Sequence, residues 1–171
     1  MALTSQQPTL QKRICQSFIF QWNARGLKGR LDDFKQRVLK YHFPIIVICE
    51  PYITSFRLSG YEQFSSDASG SSSKVLVCIR RDLTYIRHQV PAHSSNQFVA
   101  VTVQCKTNTF SVIAGYVSPR ARFDDNHLDT IIDGCPVPHI IVGDFNAHHE
   151  IWGNHCEHHK RATSHELYPD S

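Results

Sequence analysis

Apolar residues fall along this chain in short runs, and several of the runs stop on a single polar residue. Residues 17–22 (SFIFQW) read as a strand that Asn23-Ala-Arg-Gly26 breaks. Leu27, Leu31, Phe34, Val38 and Tyr41 then recur at helical spacing, with Lys28, Arg30, Asp32, Lys35 and Arg37 on the other faces. Pro44 stops that helix. The continuous apolar run IIVIC at 45–49 predicts a fully buried strand, closed by Glu50 and Pro51. Strand, helix and strand in this order predict a right-handed crossover.

Further on, residues 75–79 and 83–88 read as strands meeting near Arg81 and Asp82. Residues 98–105 and 109–117 predict a hairpin turning at 106–108. A short helix over 124–133 turns Leu128, Ile131 and Ile132 inward and ends at Gly134. An apolar run at 139–142 predicts one more buried strand, and 155–167 a last, very polar helix. Several strands mixed with a few helices imply a layered α/β protein.

The chain has 171 residues, enough for one domain with a core, and its 41% hydrophobic and 19% charged residues are those of an ordinary globular protein. The formal charge of +3 fits an anionic partner without identifying one. Six cysteines are scattered without CxxC spacing, and Cys15, Cys49, Cys78 and Cys105 lie in apolar runs. That pattern implies a reducing, intracellular compartment and no disulfide framework. No apolar run has the length of a membrane span, so no membrane partner is expected. Residues 1–15 are polar and read as a disordered leader, and the serine-rich stretch 65–73 as a flexible loop.

Chemistry concentrates where the apolar runs stop: Asn23, Glu50, Tyr116, then Asp144 and Asn146 in GDFN. Strand ends on one edge of a sheet converge, and ligands bind in such crevices. Two-residue spacing in extended chain puts Asp144 and Asn146 on one side. Together these groups make an acidic, oxygen-rich pocket, which suits Mg²⁺ or Mn²⁺. Such a pocket can neutralise phosphate and activate a water. Singly, each has a plainer explanation: Glu50 as a solvated turn residue, Asn23 as a helix cap, Tyr116 as core. Asp144 and Asn146 leave a buried strand with no evident turn requirement, which favours a functional role for them.

The ordered set QWNARG, ICEPY, GYVSP and GDFNAHHEIWG resembles the endonuclease/exonuclease/phosphatase superfamily, and more narrowly the endonuclease domain of non-LTR retrotransposons. The resemblance implies a layered α/β sandwich of two packed mixed β-sheets flanked by helices, deoxyribonuclease-like. It implies that Glu50 is the principal metal carboxylate with Asn23 beside it, and that Asp144 orients and activates water. Asn146 would hold the scissile phosphate, and Tyr116 would bond to that phosphate or to its neighbours. Arg120 and His148 become possible DNA contacts; His148 and Trp152 match the motif without a role that chemistry assigns. The implied reaction is Mg²⁺- or Mn²⁺-dependent nicking of target DNA, leaving a 3′-hydroxyl to prime a reverse transcriptase domain on the same full-length chain. A nuclear location and a monomer go with it.

The resemblance also implies a later Ser-Asp-His segment and closing strands, whereas this chain stops at Tyr168-Pro-Asp-Ser171. Residues 16–171 are therefore expected to form a partial domain with impaired activity. The alternative is a catalytically dead remnant that acts at most as a DNA-binding or interaction module. His148, His149, His155, His158, His159 and His165 crowd the tail beside Cys156, but their spacing fits no compact zinc site. Arg80, Arg81, Arg120, Arg122, Lys160 and Arg161 are cations that could meet DNA phosphates.

Overall fold

The structure is a computed structural model, and it describes residues 19–53, 56–66, 73–93, 95–105, 108–120 and 124–146. In chain order these form β1 (Ile19–Asn23), a single 3-10 turn (Lys28–Arg30), α1 (Leu31–Tyr41), β2 (Ile45–Cys49), β3 (Tyr61–Ser65) and β4 (Val75–Arg80). Then follow β5 (Thr84–His88), β6 (Asn96–Cys105), β7 (Asn108–Val117), α2 (Asp125–Asp133) and β8 (His139–Asp144). Two four-stranded sheets result, ordered β1-β2-β4-β3 and β5-β6-β7-β8. Both are mixed: β1 runs parallel to β2, β8 runs parallel to β7, and the remaining neighbours are antiparallel. The layered two-sheet architecture is the one the family resemblance implies.

Side-chain alternation along β2 shows how the layers form. Ile45 and Val47 join Val75, Val77 and Ile79 against Val99, Val101, Val103 and Val112 of the second sheet. Ile46 and Ile48, one step out of phase, point the other way, onto Leu27, Phe34 and Val38. A strand buried on both faces has no room for a polar residue, which is why IIVIC is uninterrupted. On the far side of the second sheet, Phe98, Ala100, Ile113 and Val117 pack against Ile131 and Cys135, at the end of α2. Helix α2 starts on Asp124, whose side chain accepts the His127 backbone N–H. Helix α1 ends at His42 in the left-handed region, its N–H bonded to the Val38 carbonyl.

Four features differ from the sequence expectations. Strand β3 was not foreseen, because YEQFS at the sheet's margin carries apolar residues only at Tyr61 and Phe64. β4 and β5 do not pair; the turn between them hands the chain from one sheet to the other. Arg80 and Arg81 brace that corner rather than standing free. Arg80 bonds Asp82 at 2.6 Å and the His42 carbonyl at 2.7 Å, and Arg81 lies 3.6 Å from Glu62. Helix α1 begins at Leu31, and Leu27 is buried from the turn before it. Finally, β8 is not a buried strand: as the outer strand of its sheet among the described residues, it leaves Ile140 and Ile141 40% and 43% exposed.

Cys49, Cys78, Cys105 and Cys135 are free thiols. No helix among the described residues is long and apolar enough to cross a membrane. The expected leader at 1–15, most of the serine loop and the last polar helix at 155–167 lie outside the described residues.

The β7–β8 pair depends on two glycines in register, Gly115 and Gly143. A Cβ on Gly143 would collide with the Gly115 backbone, 2.8 Å from its carbonyl carbon and 2.9 Å from its nitrogen. Backbone cannot step aside as a side chain can. Gly143→Ala is expected to destabilise the fold by about 3 kcal/mol, read from denaturant unfolding, and a loss under about 0.5 kcal/mol would refute this account of the pairing.

Candidate active site

Each sheet contributes one parallel strand pair, and the polar residues sit where those pairs end. Asn23 closes β1 opposite Cys49, with Glu50 next in the chain. Asp144 closes β8 opposite Tyr116. The side-chain nitrogen of Asn23 donates to Asp144 Oδ2 in the other sheet, and it lies 3.5 Å from Glu50 Oε1. The expected convergence therefore exists, but it spans two sheets rather than one sheet edge. Asn23 Oδ1 accepts the Arg25 N–H at 3.1 Å, which turns the amide's donor end toward the carboxylates.

Glu50 stands in the left-handed region at φ 51°. Its N–H is held by the Lys74 carbonyl at 2.8 Å, and its Oε2 accepts from the Tyr52 hydroxyl at 2.9 Å. Tyr52 is also left-handed, and Lys74 Nζ lies 4.0 Å from the centroid of its ring. Non-glycine residues in this region cost free energy, so the surrounding bonds must over-determine the loop. Tyr52 and Lys74 were missed in the sequence. Tyr52 had a signal, as the last letter of ICEPY; Lys74, 24 residues from Glu50 in the chain, had none.

Asp144 and Asn146 are not successive positions on one face of an extended strand. β8 ends at Asp144, and Asn146 turns left-handed at φ 45°. Asp144 Oδ1 accepts the Asn146 N–H at 3.2 Å, and Asn146 Nδ2 donates to the Val117 carbonyl at 2.8 Å. The pair does meet a local turn requirement, since Asp and Asn suit such a turn. One amide hydrogen of Asn146 is committed to Val117.

Tyr116 is 7% exposed, in the core between the sheets. Burial, then the negative charge of Glu50 and Asp144, raises its hydroxyl pKa, so it stays a donor at neutral pH. Burial chiefly pushes the Cys49 thiol up to about 11, so it is an inert wall residue rather than a nucleophile. Arg120 is exposed in the turn after β7. His148, Trp152, Arg122, Lys160, Arg161 and the tail histidines lie outside the described residues.

No group of three His, Cys, Asp or Glu among the described residues is arranged to hold a metal ion. The donor set still fits Mg²⁺, a cation that takes one or two carboxylates and keeps several waters. The observation behind the fit is that Glu50 and Asp144 both face the one Asn23 amide group, whose N–H hydrogens carry the partial positive charge between them.

Tyr52 offers a direct check of this geometry. Burial, followed by its hydrogen bond to Glu50, pushes its pKa up to about 12. A raised pKa means the bond's stabilisation is complete below the unfolded value, about 10, and is lost as pH climbs through the folded one. Tyrosinate absorbance of the native protein should therefore show a late-titrating residue, and Glu50→Gln should move it toward the ordinary value. An unchanged titration would mean the Tyr52–Glu50 bond is not made.

A family model described as "Endonuclease-reverse transcriptase" matches residues 110–168. The probable RNA-directed DNA polymerase from transposon BS of Drosophila melanogaster is 26% identical over 142 residues, covering 79% of this chain and 16% of that protein. The RNA-directed DNA polymerase from mobile element jockey, also of Drosophila melanogaster, is 24% identical over 153 residues, covering 86% of this chain and 16% of its own length. The chain thus spans a small part of the curated relatives it matches. Among solved structures, the endonuclease domain of TRAS1, a telomere-specific non-LTR retrotransposon, superposes with a TM-score of 0.66 at 22% identity, over 79% of this chain and 63% of that one. D. rerio TDP2 complexed with single strand DNA product superposes with a TM-score of 0.59 at 14% identity, over 80% and 63%. The chain has the two-sheet, deoxyribonuclease-like fold, and it resembles the endonuclease/exonuclease/phosphatase superfamily and, within it, the endonuclease domain of non-LTR retrotransposons.

Proposed function

We propose that this site hydrolyses phosphodiester bonds in DNA with a divalent cation, Mg²⁺ or Mn²⁺, nicking one strand and leaving a 3′-hydroxyl. The observation that carries the proposal is the meeting of Asn23, Glu50 and Asp144 from two sheets around one amide nitrogen. Glu50 would be the carboxylate that holds the cation, with Asn23 fixing its distance from Asp144. When bound, the cation supplies positive charge against the charge that develops on the phosphate. Asp144, oriented by Asn23 and by the Asn146 N–H, accepts a proton from the attacking water. The second amide hydrogen of Asn146 and the protonated Tyr116 hydroxyl donate to phosphate oxygens. Arg120 and His148 are proposed to steady the flanking DNA backbone.

On this reading the longer polypeptide of the element carries a reverse transcriptase that uses the nicked end, and acts in the nucleus. The relatives are RNA-directed DNA polymerases, which supports that arrangement.

Two measurements test the site independently. Mg²⁺ should raise the melting temperature of the protein, and Glu50→Gln should abolish the rise while leaving the cation-free melting temperature near its starting value. Plasmid nicking should require Mg²⁺ and fall by about 10²-fold or more in Asp144→Ala. Nicking that survives Asp144→Ala unchanged, or Mg²⁺ stabilisation that survives Glu50→Gln, would remove the proposal.

A further inference from the structure

A second set of contacts holds Glu50 besides Asn23, and it treats the two carboxylate oxygens differently. Oε2 accepts the Tyr52 hydroxyl at 2.9 Å, whereas Oε1 has only the 3.5 Å approach of the Asn23 amide. Tyr52 is 43% exposed, and a hydrogen bond in such a place is ordinarily loose, because water competes for both ends. Here the chain around it is fixed. The Cys49, Glu50 and Pro51 carbonyls accept the N–H groups of Ala24, Gly26 and Leu27 at 2.9, 2.8 and 2.8 Å. Glu50 and Tyr52 stand left-handed on either side of Pro51, at φ 51° and 44°. Glycine would meet that backbone requirement at lower cost, so the strain points to a use for the two side chains.

The Tyr52 ring is braced in turn. Lys74 Nζ lies 4.0 Å from its centroid, and the Lys74 N–H donates to Gln97 Oε1 at 2.8 Å. Gln97 belongs to β6 in the other sheet, and its Oε1 also accepts the Ser66 hydroxyl at 2.6 Å. Lys74 therefore reaches Glu50 by two routes. Its carbonyl holds the Glu50 N–H at 2.8 Å, and its ammonium lies against the ring whose hydroxyl meets Oε2. Swinging that hydroxyl off Oε2 means giving up the cation contact as well.

Resting on the divalent-cation reading above, we propose that Tyr52, braced by Lys74, is a positioning residue that keeps Glu50 a one-oxygen ligand and so favours Mg²⁺ over Ca²⁺. The two cations ask different things of a carboxylate. Mg²⁺ demands a small, near-octahedral shell and keeps several waters beside its carboxylate oxygens. Ca²⁺ accepts roughly six to eight oxygens in a flexible shell and can take both from one carboxylate. With Oε2 engaged by a hydroxyl, Oε1 is the oxygen left to serve. That meets the first demand and withholds the second.

The test is the melting temperature of the 171-residue chain titrated separately with MgCl₂ and CaCl₂, which gives an apparent affinity for each cation without any turnover. Tyr52→Phe removes one oxygen from an exposed ring, so its cation-free melting temperature should match that of the wild type. Its Mg²⁺ affinity should fall about tenfold, the effect of losing a group that orients a metal ligand, while its Ca²⁺ affinity holds or rises. Lys74→Met keeps the backbone bond to Glu50 and gives up the ammonium; it should shift the preference in the same direction. An equal change for both cations in Tyr52→Phe would mean that the hydroxyl only adjusts the charge of the site, and would overturn the proposal. A preference that moves in Tyr52→Phe and not in Lys74→Met would overturn the bracing role of Lys74. Glu50→Gln separates this proposal from the one beneath it. Mg²⁺ stabilisation lost in Glu50→Gln, with an unmoved preference in Tyr52→Phe, leaves the cation site standing and overturns the role of Tyr52 alone. Mg²⁺ stabilisation that persists in Glu50→Gln overturns both.

Discussion

Everything in the site depends on the two sheets meeting at one end, and Asn23 is a residue that joins them there. Its amide nitrogen reaches Asp144 across the layer and lies beside Glu50 in its own sheet. Two carboxylates brought close together repel, and a donor between them offsets part of that repulsion. The donor is neutral and the carboxylates are acidic, which leaves a local excess of negative charge. A small, hard cation is the natural complement of such a place.

The framework is rigid where it positions these groups and strained where it presents them. Valine and isoleucine ladders from both sheets interlock behind the site, and a one-step phase shift along β2 divides those side chains between the opposite sheet and α1. At the front, Glu50, Tyr52 and Asn146 all adopt left-handed backbone. Each is tied by a hydrogen bond: Glu50 to Lys74 and Tyr52, Asn146 to Val117 and Asp144. Strain held by surrounding bonds is a common property of sites that must present side chains in one orientation.

Several elements were legible because their signal is local. IIVIC is readable as a buried strand, 124–133 as a capped helix, and 98–117 as a hairpin, since burial, capping and alternation are written in adjacent letters. β3 was not, because a marginal strand needs few apolar residues. The apolar run before Asp144 reads as buried, because its letters do not say that among the described residues it is the outer strand of its sheet. Asp144 and Asn146 were read as one face of a strand, whereas a left-handed turn separates them; hydrogen bonding to Val117, 29 residues away, helps hold that turn.

By itself the sequence determined the residue types of the candidate site, their order, and the strands that deliver most of them. Asn23, Glu50, Tyr116 and Asp144 could be named because an isolated polar residue ending an apolar run is unusual. Only the tertiary structure decided how they meet. That meeting comes from packing one sheet on another, and strand periodicity carries no information about which sheet a strand joins. The same packing brought Tyr52 and Lys74 to Glu50. Such contacts between distant parts of the chain depend on long-range geometry, so no neighbouring letters could have disclosed them.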